Sequence, residues 1–336
     1  MERTATGQDT DGASNAPRDQ VVRNWILSPA AILTAALLLA TAFAASASSA
    51  WVADLAVHFR LQYAALALFV FVLFAAARRP AWAAIALLIA VTNGLIAAPL
   101  LVSRPAAAAL SARDDDGVAV RLAFVNVFFG NDDYRRVVGF VRAEKPDAVV
   151  FAEVDARWHG ELGALKKDYP HEYATHGAAG RGLLLLSRLP IEKAAVLAMS
   201  NDAEPPLGVT LNVQGKPLHL LGVHTNWPFG FRSRTSCDEQ LEELAAAAQA
   251  TARPLVLLGD LNVSPFSSHF QRLLQVGQLR SAAAGFGWQP TWPEFMPPAG
   301  IQIDHALVSP GVQVRNFRRG PQVGSDHRPV VVDLVL

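Results

Sequence analysis

Asp260 and Asn262 stand two residues apart just past the apolar run Leu255–Leu258. A carboxylate and an amide at a strand exit can hold a phosphate and a water together, and in layered α/β structures that rim is where substrates bind. Gly259 is expected to let the backbone turn there. Taken alone, the pair reads equally well as an Asx turn closing a strand. The same grammar recurs along the chain. Asn126 ends the apolar stretch Leu122–Asn126, with Asn131 close behind. Glu153 follows Ala148–Phe151, and His224 ends Leu218–His224. The last instance is a pair of segments, Ile303-Asp304-His305 and Gly324-Ser325-Asp326-His327-Arg328-Pro329.

Each piece has a plain structural reading. Glu153 could cap a helix starting near Ala156, His224 could be a core imidazole satisfied by a carbonyl, and Asp326-His327 could be a surface turn. Together they crowd acids, imidazoles and amides on one rim, which is costly unless a cation or a reaction uses them. Metal-assisted phosphoester hydrolysis calls for this set. Mg²⁺, or Mn²⁺ in its place, takes oxygen ligands and keeps several waters, so one or two carboxylates suffice. Glu153 is the expected ligand, and the ion would withdraw charge from the phosphoryl oxygens. His327, backed by Asp304, has the chemistry to take a proton from an attacking water. Asn126 and Asn262 can donate hydrogen bonds to the charge that builds on phosphorus-bound oxygens.

The joint set of Asn126, Glu153, Gly259-Asp260-Leu261-Asn262, Ile303-Asp304-His305 and Gly324-Ser325-Asp326-His327-Arg328-Pro329 resembles the endonuclease/exonuclease/phosphatase superfamily. That superfamily contains DNase I-like nucleases, neutral sphingomyelinases and inositol polyphosphate 5-phosphatases. The resemblance covers essentially all of 118–336. It implies an α/β fold, a four-layered sandwich of two central mixed β-sheets flanked by helices, and Mg²⁺-dependent cleavage of P–O bonds. It also implies roles by match: Glu153 as metal ligand, with Asn126 and Asp326 at the metal and phosphate site. His224 would contact the phosphate or protonate the leaving group, and Asp260 would orient or activate the nucleophile. Asn262 would lie on the phosphate and His327 would pair with Asp304. How acid and base duties divide among Asp260, His224 and His327 stays open. A bacterial membrane-anchored branch is resembled through Asn126 with Asn131, Thr291-Trp292-Pro293, and a serine after the Gly-Asp-x-Asn segment, Ser264 or Ser267. The loop holding Trp227, Phe229, Phe231 and Arg232 is either a substrate- or membrane-facing wall or ordinary loop packing.

Positioning these groups takes a scaffold, and 118–336 reads as one domain. Strand-like runs cover Val118–Val127, Ala148–Phe151, Gly182–Ser187, Gly208–Val213, Leu218–Val223, Leu255–Leu258, Ile303–Val308 and Val330–Leu336. Helical patterns fall at Asp133–Glu144, Arg157–Lys167, Arg234–Ala252 and Ser268–Val276. Strands outnumber helices, which favours two packed sheets with helices outside.

The N-terminal third is different. Residues 1–24 are polar and aperiodic, as a disordered tail would be. Trp25–Ala47, Leu61–Ala77 and Ala81–Val102 each lack an interior Asp, Glu, Lys or Arg, and each approaches the roughly 20 residues that cross a bilayer. Three transmembrane helices over 25–102 are therefore expected, followed by a Pro, Ala, Arg and Asp-containing linker at 103–117. Ala45-Ser46-Ala47 could serve as a signal-peptidase site behind Arg18 and Arg23. The arginine distribution, with Arg78-Arg79 between the second and third spans, favours a cytoplasmic N-terminus and an external C-terminal domain.

The composition narrows the partners. Lys and Arg total 29 and so do Asp and Glu, so no basic excess advertises nucleic-acid binding. The single Cys237 excludes an internal disulfide and a cysteine-rich metal site. The expected protein is a multi-pass, extracytoplasmic phosphoesterase whose substrate is lipid-linked or phospholipid-like in preference to DNA or RNA. A non-catalytic phospho-ligand receptor is the rival from another class. No protein partner is identifiable.

Overall fold

The computed structural model describes residues 16–46, 51–101, 117–177, 180–199, 204–228 and 231–336. The linker at 103–116, Ala47 of the cleavage motif, Phe229 and the first fifteen residues of the expected tail lie outside that set.

Four helices open the chain: α1 (Ala16–Ala45), α2 (Trp51–Val57), α3 (Arg60–Ala76) and α4 (Pro80–Leu101). Helix α1 begins inside the segment expected to be unstructured. The count of membrane spans needs correction. Two stretches, Leu27–Ala45 and Pro80–Leu101, are long and apolar enough to cross a membrane, whereas the expected middle span is the 17-residue helix α3. It is short because Arg60 stands at one end, and Arg78-Arg79, with Arg78 at φ +54°, followed by Pro80, close the other. The three apolar helices pack on one another through Ala30, Val70, Phe74, Ala83 and Ala86, where the three alanines let backbones approach closely. Arg60 donates to Asn93 Oδ1 at 3.1 Å, and Asn93 donates to Thr41 Oγ1 at 2.9 Å, tying all three together. Their outer faces are also apolar: Ile32, Leu39, Phe69, Leu88 and Leu95 are each at least 60% exposed.

The body begins with β1 (Ala119–Asn126), α5 (Tyr134–Glu144), β2 (Ala148–Val154), α6 (Ala156–Leu162), β3 (His171–Ala174) and β4 (Gly182–Ser187). It continues with β5 (Ile191–Val196), β6 (Leu207–Val213), β7 (Lys216–His224), α7 (Phe231–Ala250), β8 (Leu255–Asp260) and α8 (Ser268–Val276). The strands β9 (Arg280–Ser281), β10 (Asp304–Val308), β11 (Gln313–Arg319) and β12 (Val330–Val335) complete it. Two six-stranded sheets result, in the orders β11-β12-β1-β2-β4-β3 and β5-β6-β7-β8-β10-β9. Both are mixed: β1 and β2 run parallel, as do β7 and β8, and their other neighbours are antiparallel.

Side-chain parity builds the layers. Leu122 and Phe124 of β1, Leu220 of β7, and Val256 and Leu258 of β8 meet between the sheets. Ala123 and Val125 face the other way, onto α5 and α6, while Leu255 and Leu257 face α7 and α8. Strands covered on both faces read as continuous apolar runs. This is the expected four-layered α/β sandwich.

Parity also separates the neighbours Asp304 and His305. Asp304 shares the inter-sheet face with Ala306 and Val308, whereas His305 shares the outer face with Leu307. There Nε2–H donates to Val263 O at 2.9 Å and the ring lies 4.6 Å from Phe270. Burial, outweighing the Val263 carbonyl and the Asp304 charge, pulls its pKa down to about 4. Gly259 likewise departs from expectation. It is an interior residue of β8, and the reversal comes later, at Asn262 with φ +51°. A Cβ at Gly259 would stand 1.9 Å from the carbonyl oxygen of Val223 on β7, so the residue is fixed by close strand approach.

Two stability predictions follow from this packing. Gly259→Ala forces β7 and β8 apart and should cost about 3 kcal/mol, read as a lowered thermal midpoint; an unchanged midpoint would mean the strands part freely. His305 titrates near its ordinary 6.5 when unfolded and near 4 when folded. Below pH 6.5 the unfolded chain therefore binds the extra proton, and up to roughly 3 kcal/mol of stability is lost as pH falls toward 4. The denaturant midpoint should drop more steeply over that window in the wild type than in His305→Gln, and parallel slopes would contradict the assignment.

Candidate active site

The strand ends Asn126, His224 and Asp260 all keep the inter-sheet parity, and the register pairs Asp260 with both His224 on β7 and Asp304 on β10. Glu153 does not fit by parity alone. Strict alternation would place it with Val149 and Phe151 on the outer face. The β2–β4 register shifts between Phe151 and Val154, and Glu153 adopts φ +62°, a bulge that re-aims the side chain. A non-glycine residue held this way costs about 1–3 kcal/mol and persists only where its surroundings fix it. Here they do: Glu153 N–H donates to Glu204 Oε2 at 3.0 Å, and its own carboxylate accepts from Asn126 Nδ2 at 3.1 Å and Phe129 N–H at 3.1 Å. Asp155 caps α6 by accepting from Trp158 N–H at 2.8 Å, so the capping reading of Glu153 falls.

Asp260 is buried, 1% exposed. Its Oδ1 accepts from Asn262 N–H at 2.8 Å, and Oδ2 accepts from Asn126 Nδ2 at 3.3 Å. Asn126 thus braces two carboxylates with one amide nitrogen. Asn262, whose residue type tolerates left-handed backbone, donates from Nδ2 to Thr225 O at 2.8 Å. Two acid-backed imidazoles flank Asp260. His327 Nδ1 lies 3.0 Å from Asp304 Oδ2 and 3.7 Å from Asp260 Oδ2. His224 Nδ1 lies 3.0 Å from Glu204 Oε2, with Nε2 3.7 Å from Asp260 Oδ2.

These distances set the charges. Burial alone would lower the His327 pKa, but the charges of Asp304 and Asp260 and the hydrogen bond to Asp304 reverse this and raise it to about 10. His224 follows the same pattern: burial opposes, Glu204 dominates with help from Asp260 and Glu153, and the result is about 9. Asp260 is pushed up by burial and by Asp304, with the imidazoles pulling back, and settles near 6.

Thr291-Trp292-Pro293 supports the rim from outside. Thr291 Oγ1 accepts from Asp304 N–H at 3.2 Å, and Trp292 Nε1 donates to Asp326 Oδ2 at 3.2 Å. Ser325 Oγ donates to Asn126 O at 2.8 Å and accepts from His327 N–H at 3.0 Å, lacing the last loop to β1. A cavity of about 470 Å³ takes in Glu153, His224, Asp260, Asn262, Asp326 and His327, while Asn126 and Asp304 sit behind it, buried.

Ligand atoms of Asp260, Asp304 and His327 converge within 4.8 Å. Within that trio the facing imidazole nitrogen, His327 Nδ1, is already paired with Asp304 Oδ2 at 3.0 Å. Two further carboxylates line the cavity and offer the oxygen atoms a divalent cation takes: Glu153 is braced by Asn126, and Asp326 Oδ1 is buried with no hydrogen-bond partner among the described residues.

Sequence reasoning missed Glu204 and Arg181. Glu204, 4% exposed, orients both Glu153 and His224. Arg181 Nε stands 3.9 Å from it, with the guanidinium 4.4 Å from the Phe129 ring centroid. The sole local hint is an acid before Pro205-Pro206 at the entry to β6. Other singled-out residues lie elsewhere. Asn131 donates to Val127 O and Val323 O as a loop brace, and Ser264 and Ser267 are fully buried away from the cavity. Trp227 stands on the rim, 6.2 Å from Trp292; Phe231 and Arg232 open α7.

Comparison with known proteins agrees with this architecture. Among curated proteins, no relative matches the chain. Truncated TDP2 from Caenorhabditis elegans superposes with TM-score 0.55 at 18% identity, over 65% of this chain and 98% of that one. An endonuclease/exonuclease/phosphatase from Beutenbergia cavernae gives 0.53 at 23% identity, over 65% and 72%. The 3′ phosphatase NExo from Neisseria, bound to a product DNA hairpin, gives 0.52 at 20% identity, over 63% and 98%. These likenesses establish the fold. The sequence model of the endonuclease/exonuclease/phosphatase family matches residues 123–327, a stretch that carries every candidate group described above, and by that match the chain belongs to this family of phosphoester-cleaving enzymes.

Proposed function

We propose that the chain is a membrane-anchored, metal-dependent phosphoesterase that hydrolyses P–O bonds with a water nucleophile. The observation that carries this reading is Asp260, buried between two acid-backed imidazoles and facing the same cavity as Glu153. Glu153 and Asp326 would hold Mg²⁺, or Mn²⁺ in its place, which when bound would withdraw charge from the phosphoryl oxygens. Asn126 fixes the Glu153 and Asp260 carboxylates. Asp260 is the group placed to accept the proton of the attacking water, because its neighbours are already protonated. His327, held by Asp304, and His224, held by Glu204, are cationic donors aimed at phosphoryl oxygens, and His224 can pass a proton to the leaving oxygen. Of the acid and base duties that the sequence leaves open among Asp260, His224 and His327, this reading gives the base to Asp260. Asn262 keeps its second amide hydrogen for the phosphate.

Anchoring is supported by helices that are apolar on both their packed and outer faces. At about 1.5 Å per residue, the 17 residues of α3 reach some 26 Å, slightly less than the roughly 30 Å hydrocarbon core. Arg78-Arg79 on the α3–α4 turn then favours a cytoplasmic position for that turn and an external catalytic body. A tether confines the site to the plane of the bilayer and raises the effective concentration of substrates there. Lipid-linked or phospholipid-type esters are therefore preferred. A nuclease is the second reading, favoured by the Neisseria structure with its DNA product and disfavoured by the balanced charge.

Glu153→Gln, Asp260→Ala and His327→Ala should each lower Mg²⁺-dependent, EDTA-sensitive release of p-nitrophenol from bis(p-nitrophenyl) phosphate by about 10²-fold or more. Near-normal rates in all three folded variants would remove the mechanism. A C-terminal alkaline phosphatase fusion should be active outside the cytoplasm; activity confined to a cytoplasmic reporter at that position would reverse the orientation.

A further inference from the structure

The cavity has a wall that the catalytic body does not supply. Leu55 of α2, with His58 and Phe59 just beyond it, lines the same space as Trp227, Trp292 and Ile301. These residues come from the break between the apolar helices α1 and α3, and buried polar contacts hold them in place. Ser264 Oγ donates to His58 Nδ1 at 2.8 Å, and Ser264 N–H approaches the same nitrogen at 3.3 Å. Ser267 Oγ donates to Asp54 Oδ1 at 3.3 Å, and Gln62 Nε2 donates to Gly300 O at 2.8 Å. Asp54, His58, Ser264 and Ser267 are all 4% exposed or less.

An acid, an imidazole and a serine in this order could make a nucleophile. Ser264 is wholly buried, with no room for a substrate, so the set acts as a latch. Leu261-Asn262 runs directly into Ser264, which couples the latch to the segment that carries Asp260. A chance hydrophobic contact would not place matched donors and acceptors across a dry interface, because each group left unmatched there is destabilising. Helix α2 is therefore docked specifically.

The resulting cavity is two-sided. Glu153, Asp260 and His327 supply charge on one side, and Leu55, Phe59, Trp227, Trp292 and Ile301 supply apolar surface. At about 470 Å³ it holds roughly fifteen waters' worth of ligand, well beyond a phosphoryl group. We propose that α2 and the turn after it form a substrate subsite, in which Leu55 and Phe59 hold an alkyl substituent of the phosphoester whose phosphoryl group sits over Glu153 and Asp260. Because Phe59 immediately precedes α3, the subsite and the apolar helices are one continuous piece of chain. This rests on the phosphoesterase reading of the same cavity and adds to it the class of substituent recognised.

The test uses the full chain in detergent and two soluble diesters, hexyl p-nitrophenyl phosphate and methyl p-nitrophenyl phosphate. In the wild type kcat/KM should favour the hexyl ester by about tenfold or more. Phe59→Ser and Leu55→Asn should erase most of that ratio, and Phe59→Leu should restore it. A wild-type ratio near one, or a ratio unmoved by these substitutions, overturns the subsite. If neither ester is turned over, the phosphoesterase reading fails by itself, and calorimetry then decides the subsite. Hexylphosphonate should bind about tenfold more tightly than methylphosphonate, with the difference removed by Phe59→Ser; equal binding of the two overturns it.

Discussion

Three buried carboxylates, those of Asp260, Asp304 and Glu204, and two imidazoles, buried His327 and half-buried His224, lie within a few ångströms at one end of the gap between two sheets. Charges taken out of water survive only when each meets an opposite charge or a donor, so the rest of the molecule is constrained to deliver partners from distant parts of the chain to sub-ångström tolerance. The register does this. Asp260 pairs across β8 with His224 in the parallel direction and with Asp304 in the antiparallel one, which is why a mixed sheet is needed. The facing sheet contributes Asn126 at the end of β1 and, through the bulge, Glu153 from β2. Loops close the set, with Glu204 behind His224 and Ser325 tying the His327 segment to Asn126 O.

Electrostatics at this rim favours division of labour. A lone buried imidazole would be neutral, as His305 is on the outer face of β10. His224 and His327 instead have carboxylates at 3.0 Å, which raise their pKa above the ordinary imidazole value despite burial. Asp260 feels both imidazoles at 3.7 Å and the like charge of Asp304. The same imidazole group is thus shifted in opposite directions by its neighbours, and spacing along the chain does not encode which way each will go.

Physical exposure explains which parts were legible from the sequence. Every inner strand was visible as an apolar run, because burial on both faces leaves no room for polar residues. The strands that escaped notice, β3, β5, β9 and β11, are the four sheet edges. Their residues are largely half-buried or exposed, as in His171–Ala174 and Ile191–Val196, so no periodic signal marks them. Asn126, Glu153, His224, Asp260 and Asp304 were legible because each ends or adjoins an apolar run, and Asp326 and His327 because an acid and an imidazole stand side by side within Gly324–Pro329. Glu204 adjoins none until it folds, and Gly259 read as a turn because its cause, the Val223 carbonyl, lies on another strand.

Helix α2 escaped for a further reason: seven residues between two apolar stretches look like a loop, and their partners lie some two hundred positions away. Its placement bears on what the apolar helices do. A passive tether needs length and hydrophobicity only, and tolerates any sequence in the break between helices. Here Asp54 and His58 of the break, and Gln62 in the first turn of α3, are each matched to a group on the catalytic body, and the break presents Leu55 and Phe59 to the cavity. Polar matching fixes the body against the helices, so the apolar wall keeps a constant position relative to Glu153 and Asp260. A hydrophobic contact alone would slide. The helical region is thereby part of the architecture of the site, and the boundary between the apolar helices and the two-sheet body runs through the cavity itself.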